Sequence, residues 1–179
     1  SGSGVPVVNI TNPSAQGVSR NRFTDFNVND QGVILNNNAS SEYSHTTNGE
    51  RIQKNLLLKK EANIILNEVT GSNSSKLTGQ LEIVGGEADI ILANPNGVTC
   101  DGCKFINTNR TTLTTGYVDT NNGGINTISL KNDSGIITIN GQGLEGGNVD
   151  IIDIISGEIL IDANLESKEK LRLISGTGV

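Results

Sequence analysis

The two cysteines, in the run Cys100-Asp101-Gly102-Cys103, are the residues whose spacing most directly suggests chemistry. Two cysteines separated by two residues form half of a zinc site, but the chain has no further cysteine and its single histidine is His45. A thioredoxin-like redox pair would need a βαβ context and a helix N-terminus, which this stretch does not offer. The spacing therefore favours a disulfide that closes a tight turn in an oxidising compartment, with free thiols and a metal-ligand pair as the alternatives.

Carboxylates are the second candidates for chemistry, since some β-helix enzymes pair them with a base to cleave acidic polysaccharides. The acids considered are Glu87, Asp89, Asp150, Asp153, Glu158 and Asp162. They are scattered, and the only basic residues between Ile106 and Leu165 are Arg110 and Lys131. The aromatic content of 3% also argues against a glycan-binding groove. We therefore expect these acids to solvate the surface, and we predict no enzyme activity, no metal and no cofactor.

Two weaker motifs favour structure over chemistry. The segments Gly85–Asp89 and Gly146–Asp150 share a Gly-Gly-x-x-Asp pattern, but they lack the third glycine and the tandem copies of calcium-binding nonapeptide repeats. The run Asn94-Pro95-Asn96-Gly97 predicts a turn, because proline fixes φ and Asn-Gly accepts left-handed conformations. His45 lies in a polar stretch, and we expect it to be a surface residue.

The composition indicates the elements that must position these residues. The chain has 179 residues with a net charge of −6, which disfavours nucleic acid and an acidic membrane surface as partners. No apolar run approaches the roughly 18 residues of a membrane-spanning helix. The 22 glycines, 24 asparagines, no methionine and many Ile, Val and Thr favour short strands joined by tight turns over helices. The sequence predicts an all-β chain.

An internal period indicates which all-β architecture is adopted. A small polar residue precedes glycine at Gly97, Gly116, Gly135, Gly157 and Gly176, in steps of 19, 19, 22 and 19 residues. The segment Gly85–Ile91 recurs at Gly146–Ile152, a displacement of 61 that equals three steps of about 20. This period predicts a right-handed parallel β-helix with about seven coils after Gly32. A β-sandwich is the alternative, but it gives no reason for two echoes to share one period.

The domain organisation follows from this period. We expect residues 1–4 to be a vector-derived scar, residues 5–31 to form an N-terminal β cap, and residues 32–179 to form the β-helix as a single domain. The absence of methionine indicates a processed or excised piece. The cap residues are predicted to be Val7, Phe23 and Phe26. The polar stretch 36–49 is predicted to be an exposed loop.

Six blocks of sequence, in order from Val5 to Gly116, closely resemble the two-partner secretion domain. This domain is the N-terminal module of filamentous-haemagglutinin-like exoproteins, and the Cys-Asp-Gly-Cys version is most similar to the haemolysin and contact-dependent growth inhibition toxin branch. The blocks are Val5–Ile10, Asn21–Val28, Gly32–Asn37, Asn67–Ser72, Ala93–Thr108 and Leu113–Gly116. The family's earlier Asn-Pro-Asn-Leu element corresponds here to Gln53-Lys54-Asn55-Leu56, without proline.

The resemblance implies a function that composition alone does not. A domain of this kind passes through the periplasm, is bound by the POTRA domains of a cognate outer-membrane β-barrel transporter, and templates the folding of downstream β-helical repeats outside the cell. It implies recognition through Asn94, Pro95, Asn96 and Gly97, with Asn55, Asn67 and Glu68 as secondary positions. We expect a secreted or cell-surface monomer. The remainder of the exoprotein could be a toxin, haemolysin or adhesin, and the alternative function is a stand-alone β-helical adhesin or polysaccharide-acting module.

Overall fold

The computed structural model describes residues 2–176, and most of its strands stack in three parallel sheets. The first sheet contains β1 (Val7–Asn9), β3 (Val33–Asn37), β8 (Gln80–Gly85), β11 (Cys103–Ile106) and β16 (Leu144–Glu145). The second contains β2 (Val18–Phe23), β6 (Ile64–Val69), β9 (Asp89–Ala93), β12 (Arg110–Thr114), β17 (Ile151–Ser156) and β19 (Lys170–Ser175). The third contains β7 (Ser75–Leu77), β10 (Val98–Cys100), β15 (Ile136–Ile139) and β18 (Glu158–Ile161).

Each coil gives one strand to each sheet and pairs in parallel with the coil before and after it. Successive coils run β3-β6-β7, β8-β9-β10, β11-β12-β15 and β16-β17-β18. The next coil begins where Leu165 bridges to Leu144 and continues in β19. Stacked partners include Ile151 with Lys170, 19 positions later, and Ile64 with Asp89, 25 positions later. The predicted all-β parallel β-helix is confirmed, and the sandwich alternative is wrong.

Two antiparallel hairpins interrupt the coils, and they make the predicted count of seven coils too high. The first hairpin pairs β4 (Tyr43–His45) with β5 (Arg51–Gln53), and the second pairs β13 (Tyr117–Asp119) with β14 (Thr127–Ser129). Four complete coils and part of a fifth therefore lie between Gly32 and Gly176. The step from Gly116 to Gly135 spans the second hairpin. Ile90 and Ile152 both align with Thr111, so the 61-residue echo spans two coils and is one residue out of register.

Aliphatic side chains fill the interior of the coils, and each hairpin covers an outer face. Interior residues such as Leu35, Ile90 and Phe105 are almost completely buried. The first hairpin packs Ile52 against Ile34 and Val84 on the outside of the first sheet. The second hairpin places a further set on the outside of the second sheet, where the buried residues are Val18, Leu66, Ile91 and Ala93 and the covering residues include Val118 and Ile125. The hairpins are therefore held by apolar burial of their own.

The stretch predicted as an exposed loop begins instead inside the fold. Asn36, Asn37 and Asn38 are 1% exposed or less. The Asn37 amide donates to the carbonyl oxygens of Ala62 (3.0 Å) and Gly86 (2.8 Å), which satisfies the buried polar group. Exposure begins only after Asn38, where the chain leaves the coil for the first hairpin. Among residues 2–176, the helical content is a single 3-10 turn at Asn121–Gly123, far too short to cross a membrane.

The N-terminal segment forms the strands of a first coil. β1 and β2 begin the first and second sheets, and Val28 forms a bridge to Leu77 of the third. The rings of Phe23 and Phe26 meet edge to face at 5.0 Å and pack against the main core. Val7 instead faces the first hairpin, and its neighbour Val8 faces the core.

The structure describes only part of the first and of the last predicted segment. Ser1 of the predicted scar and residues 177–179 of the predicted β-helix lie outside the described residues. Within the predicted scar, the backbone N–H and the hydroxyl of Ser3 donate to the Glu50 carboxylate, at 3.0 and 2.7 Å.

Candidate recognition site

The turn Asn94–Gly97 connects the second sheet to the third, and the Asn94 side chain holds it together. Asn94 is fully buried, and its Oδ1 accepts hydrogen bonds from the backbone N–H and the amide of Asn96, both at 3.0 Å. Its amide donates to the Asn73 carbonyl oxygen (3.0 Å) and the Ser75 hydroxyl (2.9 Å) of the neighbouring coil. The Gly97 N–H closes the turn on the Asn94 carbonyl oxygen at 3.1 Å. Because both N–H groups and both lone-pair sites of the side chain are occupied, it has nothing left to offer a partner.

The other turn residues link the coils on either side. The Pro95 carbonyl oxygen accepts a hydrogen bond from the Gly135 N–H at 2.8 Å. Gly97 has a φ of +125°, and a Cβ there would lie 2.9 Å from the Ile136 carbonyl oxygen, so a side chain would be strained. Asn96 is the exposed member of the turn, although its amide also donates to the Gly71 carbonyl oxygen at 2.8 Å. A partner of the folded domain would therefore meet Pro95 and Asn96.

A second turn of the same type begins at Asn55. Asn55 is 1% exposed, its Oδ1 accepts from the Leu57 N–H (3.0 Å), and the Leu58 N–H closes the turn on its carbonyl oxygen (3.2 Å). Its amide donates to the carbonyl oxygens of Ile10 (2.9 Å) and Asn36 (3.0 Å). This repeats the pattern at Asn94, so the equivalent turn in the structure is Asn55-Leu56-Leu57-Leu58. It begins two residues after Gln53, where the predicted element begins.

Asn67 and Glu68 point in opposite directions from β6. Asn67 is fully buried inside the coil, where its amide donates to the Ile91 carbonyl oxygen (3.3 Å) and its Oδ1 has no partner within the described structure. Glu68 lies on the outer face, 2.5 Å from Nε of Arg20 and 4.0 Å from Nε of Arg22. A groove of about 470 Å³ contains Glu68 and both arginines together with Pro95, Asn96 and Tyr117. The fold therefore brings together Glu68 and the exposed part of the Asn94 turn and separates both from Asn55 and Asn67.

The two cysteines form a disulfide at the corner between β10 and β11. Their Cα atoms are 5.4 Å apart and both residues are buried. The Asp101 N–H donates to the Leu77 carbonyl oxygen of one neighbouring coil at 2.9 Å. The Gly102 N–H donates to the Gly143 carbonyl oxygen of the other at 2.8 Å. The bridge thus closes a corner that backbone bonds already fix on both sides.

One carboxylate expected at the surface is buried in an ion network. Asp153 is 1% exposed and accepts hydrogen bonds from Nε of Arg110 (2.7 Å) and Nε of Arg172 (2.6 Å), which lie on the two adjacent coils. Burial alone would raise the pKa of Asp153, but the hydrogen bonds from Arg172 and Arg110 outweigh it and hold the pKa below the usual value. Burial raises the pKa of the nearby Asp89, and Arg110 partly offsets this. The network joins three coils.

The remaining polar candidates stay apart. Glu87, Glu158 and Asp162 are exposed, Asp150 is partly buried, and His45 is exposed on β4 with its ring 5.4 Å from that of Tyr43. No group of three or more His, Cys, Asp or Glu side chains within residues 2–176 is arranged to hold a metal ion.

The chain is similar to known proteins over most of its length. Residues 1–179 match the TPS secretion domain family. The chain is 48% identical over 169 residues to the tRNA nuclease CdiA of Escherichia coli strain STEC_O31, which covers 93% of this chain and 5% of that protein. It is 38% identical over 168 residues to filamentous hemagglutinin of Bordetella pertussis strain Tohama I, which covers 94% of this chain and 4% of that protein. The crystal structure of the filamentous hemagglutinin secretion domain superposes with a TM-score of 0.86 at 33% identity, covering 99% of this chain and 60% of that one.

Proposed function

This chain belongs to the TPS secretion domain family, and we propose that it directs a much longer exoprotein through the periplasm to a cognate outer-membrane transporter and then templates the folding of that exoprotein. The chain spans about 5% of the length of the CdiA proteins that it matches. The domain acts by binding and folding, without catalysis, and as a monomer. Its partners are the POTRA domains of the transporter and the downstream repeats of its own chain.

The observation that carries the proposal is the unfinished coil at the end of the described structure. β19 pairs with β17 on one side, and no strand within residues 2–176 covers its other edge. Leu171 and Leu173 continue the interior columns of Ile152 and Ile154, yet they are 39% and 46% exposed. A free strand edge with uncovered interior leucines favours the addition of another parallel coil. The downstream repeats of the same chain are the natural occupant.

The two buried asparagines contribute to recognition by building turns. The amides of Asn94 and Asn55 are fully used inside the fold, so their effect on export passes through the shape of the turns. The surface open to a folded-state partner near Asn94 is the groove with Asn96 and Glu68. Asn67 is enclosed in the coil and supports β6.

A two-part export experiment tests this function. The chain is produced with its transporter, alone and extended by its natural downstream coils, and the folded material outside the cell is measured. We expect Leu171→Asp/Leu173→Asp to leave export of the chain alone unchanged and to reduce folding of the extended form, because only that form must add a coil to β19. Export independent of the transporter would contradict the targeting role, and normal folding of the extended variant would contradict the template role.

A further inference from the structure

Leu56 and Leu57 are exposed in a way that the fold does not explain. Their side chains are 89% and 58% exposed. Two other exposed leucines, Leu171 and Leu173, continue the interior columns in the last strand, where a further coil would cover them. Leu160 lies on the outer face of β18, next to Thr138 of β15. A further coil added after β19 would not reach the turn Asn55–Leu58, which lies beside the first coils.

The turn geometry fixes this exposure. Asn55 and Leu58, at the two ends of the turn, are 1% and 6% exposed, so the turn is anchored on both sides. The hydrogen bond from the Leu57 N–H to the Asn55 side chain holds the two central residues outward. At the corresponding positions of the Asn94 turn the chain has Pro95 and Asn96. A turn of this type therefore does not require leucine at either position.

The two leucines line a groove with a volume of about 620 Å³. Its floor and walls include Val7 and Asn9 of β1, Asn36 of β3, and Arg51 of the first hairpin. Apolar side chains at the mouth of a groove are typical of a surface that accepts a side chain from a partner.

The charge around the groove indicates the chemistry of that partner. Residues 51–60 contain four of the chain's 13 basic residues and no acid, although the chain as a whole carries −6. These residues are Arg51, Lys54, Lys59 and Lys60, and all four are exposed. None forms an ion pair within residues 2–176, and the Arg51 guanidinium lies 3.7 Å from the centre of the Tyr43 ring. The acids that flank this segment in sequence are engaged elsewhere, Glu50 with Ser3 and Glu61 with Ser40. Glu42 lies opposite Lys54 in the first hairpin, but the two side chains form no ion pair in the part of the chain that the structure describes. An acidic partner would complement this charge.

We propose that the leucine–lysine surface, consisting of Lys54, Leu56, Leu57, Lys59 and Lys60, docks an apolar, acidic segment of the periplasmic part of the transporter. The inference rests on the function proposed above and adds the surface and the chemistry of the contact. A protein segment fits better than an anionic membrane, because the leucines open onto a concave groove and only two apolar side chains project. Membrane-surface binding relies on a long apolar face.

Two double variants of the full chain test the surface. Leu56→Pro/Leu57→Asn gives the turn the central residues of its Asn94 counterpart, so the fold is retained while both leucines are lost. Lys59→Glu/Lys60→Glu reverses the charge, and Lys76→Glu/Lys170→Glu is its matched control with exposed lysines elsewhere. Binding to the purified periplasmic part of the cognate transporter is measured by calorimetry at two salt concentrations, and folding is checked by circular dichroism.

We expect the leucine variant to bind about 10- to 100-fold more weakly and the Lys59/Lys60 variant about 3- to 10-fold more weakly. The control should bind as the unmodified chain does, and added salt should weaken binding of the unmodified chain more than that of the Lys59/Lys60 variant. Unchanged or tighter binding by the leucine variant overturns the inference. The inference is also overturned if all chains bind equally to vesicles of anionic phospholipid while transporter binding does not depend on the leucine–lysine surface. If the unmodified chain fails to bind the transporter at all, the proposed function itself fails.

Discussion

Replacing Asn94 with alanine separates the structural role of the turn from direct recognition. The substitution removes four hydrogen bonds, two accepted from Asn96 and two donated to Asn73 and Ser75. Each hydrogen bond contributes about 1 kcal/mol net to the free energy of unfolding. Relaxation at the exposed Asn96 reduces the total, and the buried Ser75 hydroxyl left without a partner increases it. We therefore expect the free energy of unfolding to fall by about 2–4 kcal/mol. This exceeds the roughly 1 kcal/mol typical of a single lost cap.

The assay is chemical denaturation of the purified chain, followed by transporter binding and export in cells. Asn55→Ala should behave like Asn94→Ala, because its side chain makes the equivalent bonds. Asn96→Ala removes an exposed amide and should cost no more than about 1 kcal/mol. Asn48, exposed on the first hairpin, provides the control. For Asn94 and Asn55, binding and export should fall only as far as stability falls, whereas Asn96→Ala should lose binding at nearly unchanged stability.

The result that would refute this reasoning is Asn94→Ala with normal stability and lost binding. In that case the transporter would contact the Asn94 amide directly, and the chain would have to bind the transporter before this turn folds. Asn94→Asp is an informative second variant, since it keeps the acceptor oxygens but loses both donors to the neighbouring coil.

Two further predictions concern the covalent and ionic links between coils. Cys100→Ser/Cys103→Ser should cost no more than about 2 kcal/mol because the closed loop is short, and alkylation of the unmodified protein under denaturing, non-reducing conditions should add no label by intact mass. Labelling of two thiols would show that the bridge is absent. The pKa of Asp153 is lower in the folded chain than its usual value of 3.8 in the unfolded chain. Ionised Asp153 therefore stabilises the fold at pH values above 3.8, and this contribution is lost as the pH falls through the pKa of the folded state. Asp153→Asn should therefore lower stability at pH 7 and flatten its decline below about pH 5, whereas the exposed Asp162→Asn should change neither; an equal acid slope for both would contradict the network.

The architecture was predictable because the strands and their spacing belong to one repeating unit, and the errors arose where the chain leaves that unit. The step of 19 from Gly116 to Gly135 has the length of a coil, but it contains the hairpin of β13 and β14. A hairpin that buries its own apolar face has the same alternation of apolar and polar residues as a coil strand. Spacing alone therefore could not separate the two, and the number of coils was overestimated.

The candidate site was predictable in its turn and its cysteines, whose residue types dictate local geometry. The direction of individual polar side chains was harder to predict, because asparagine is expected at the surface. A signal for Asn67 existed in β6, where it occupies the position between Ile65 and Val69 on the inward side of the strand. Asp153 lacked such a signal, since its burial depends on arginines 43 positions before it and 19 positions after it.

The two asparagine turns show how one backbone can be kept while its recognition surface varies. In both, a buried asparagine accepts a bond from the N–H two positions on and donates to the preceding coil; Asn55 also donates to Asn36 of its own coil. These bonds fix the path of the chain and leave the two central side chains pointing outward, as proline and asparagine in one turn and as two leucines in the other. Substitutions at the central positions keep the backbone bonds of the turn and the bonds from the asparagine amide to other strands. Only the amide bonds of Asn96 itself would be lost, so the stability cost is small. The asparagine is then constrained by folding, and the central pair is free to match a particular transporter.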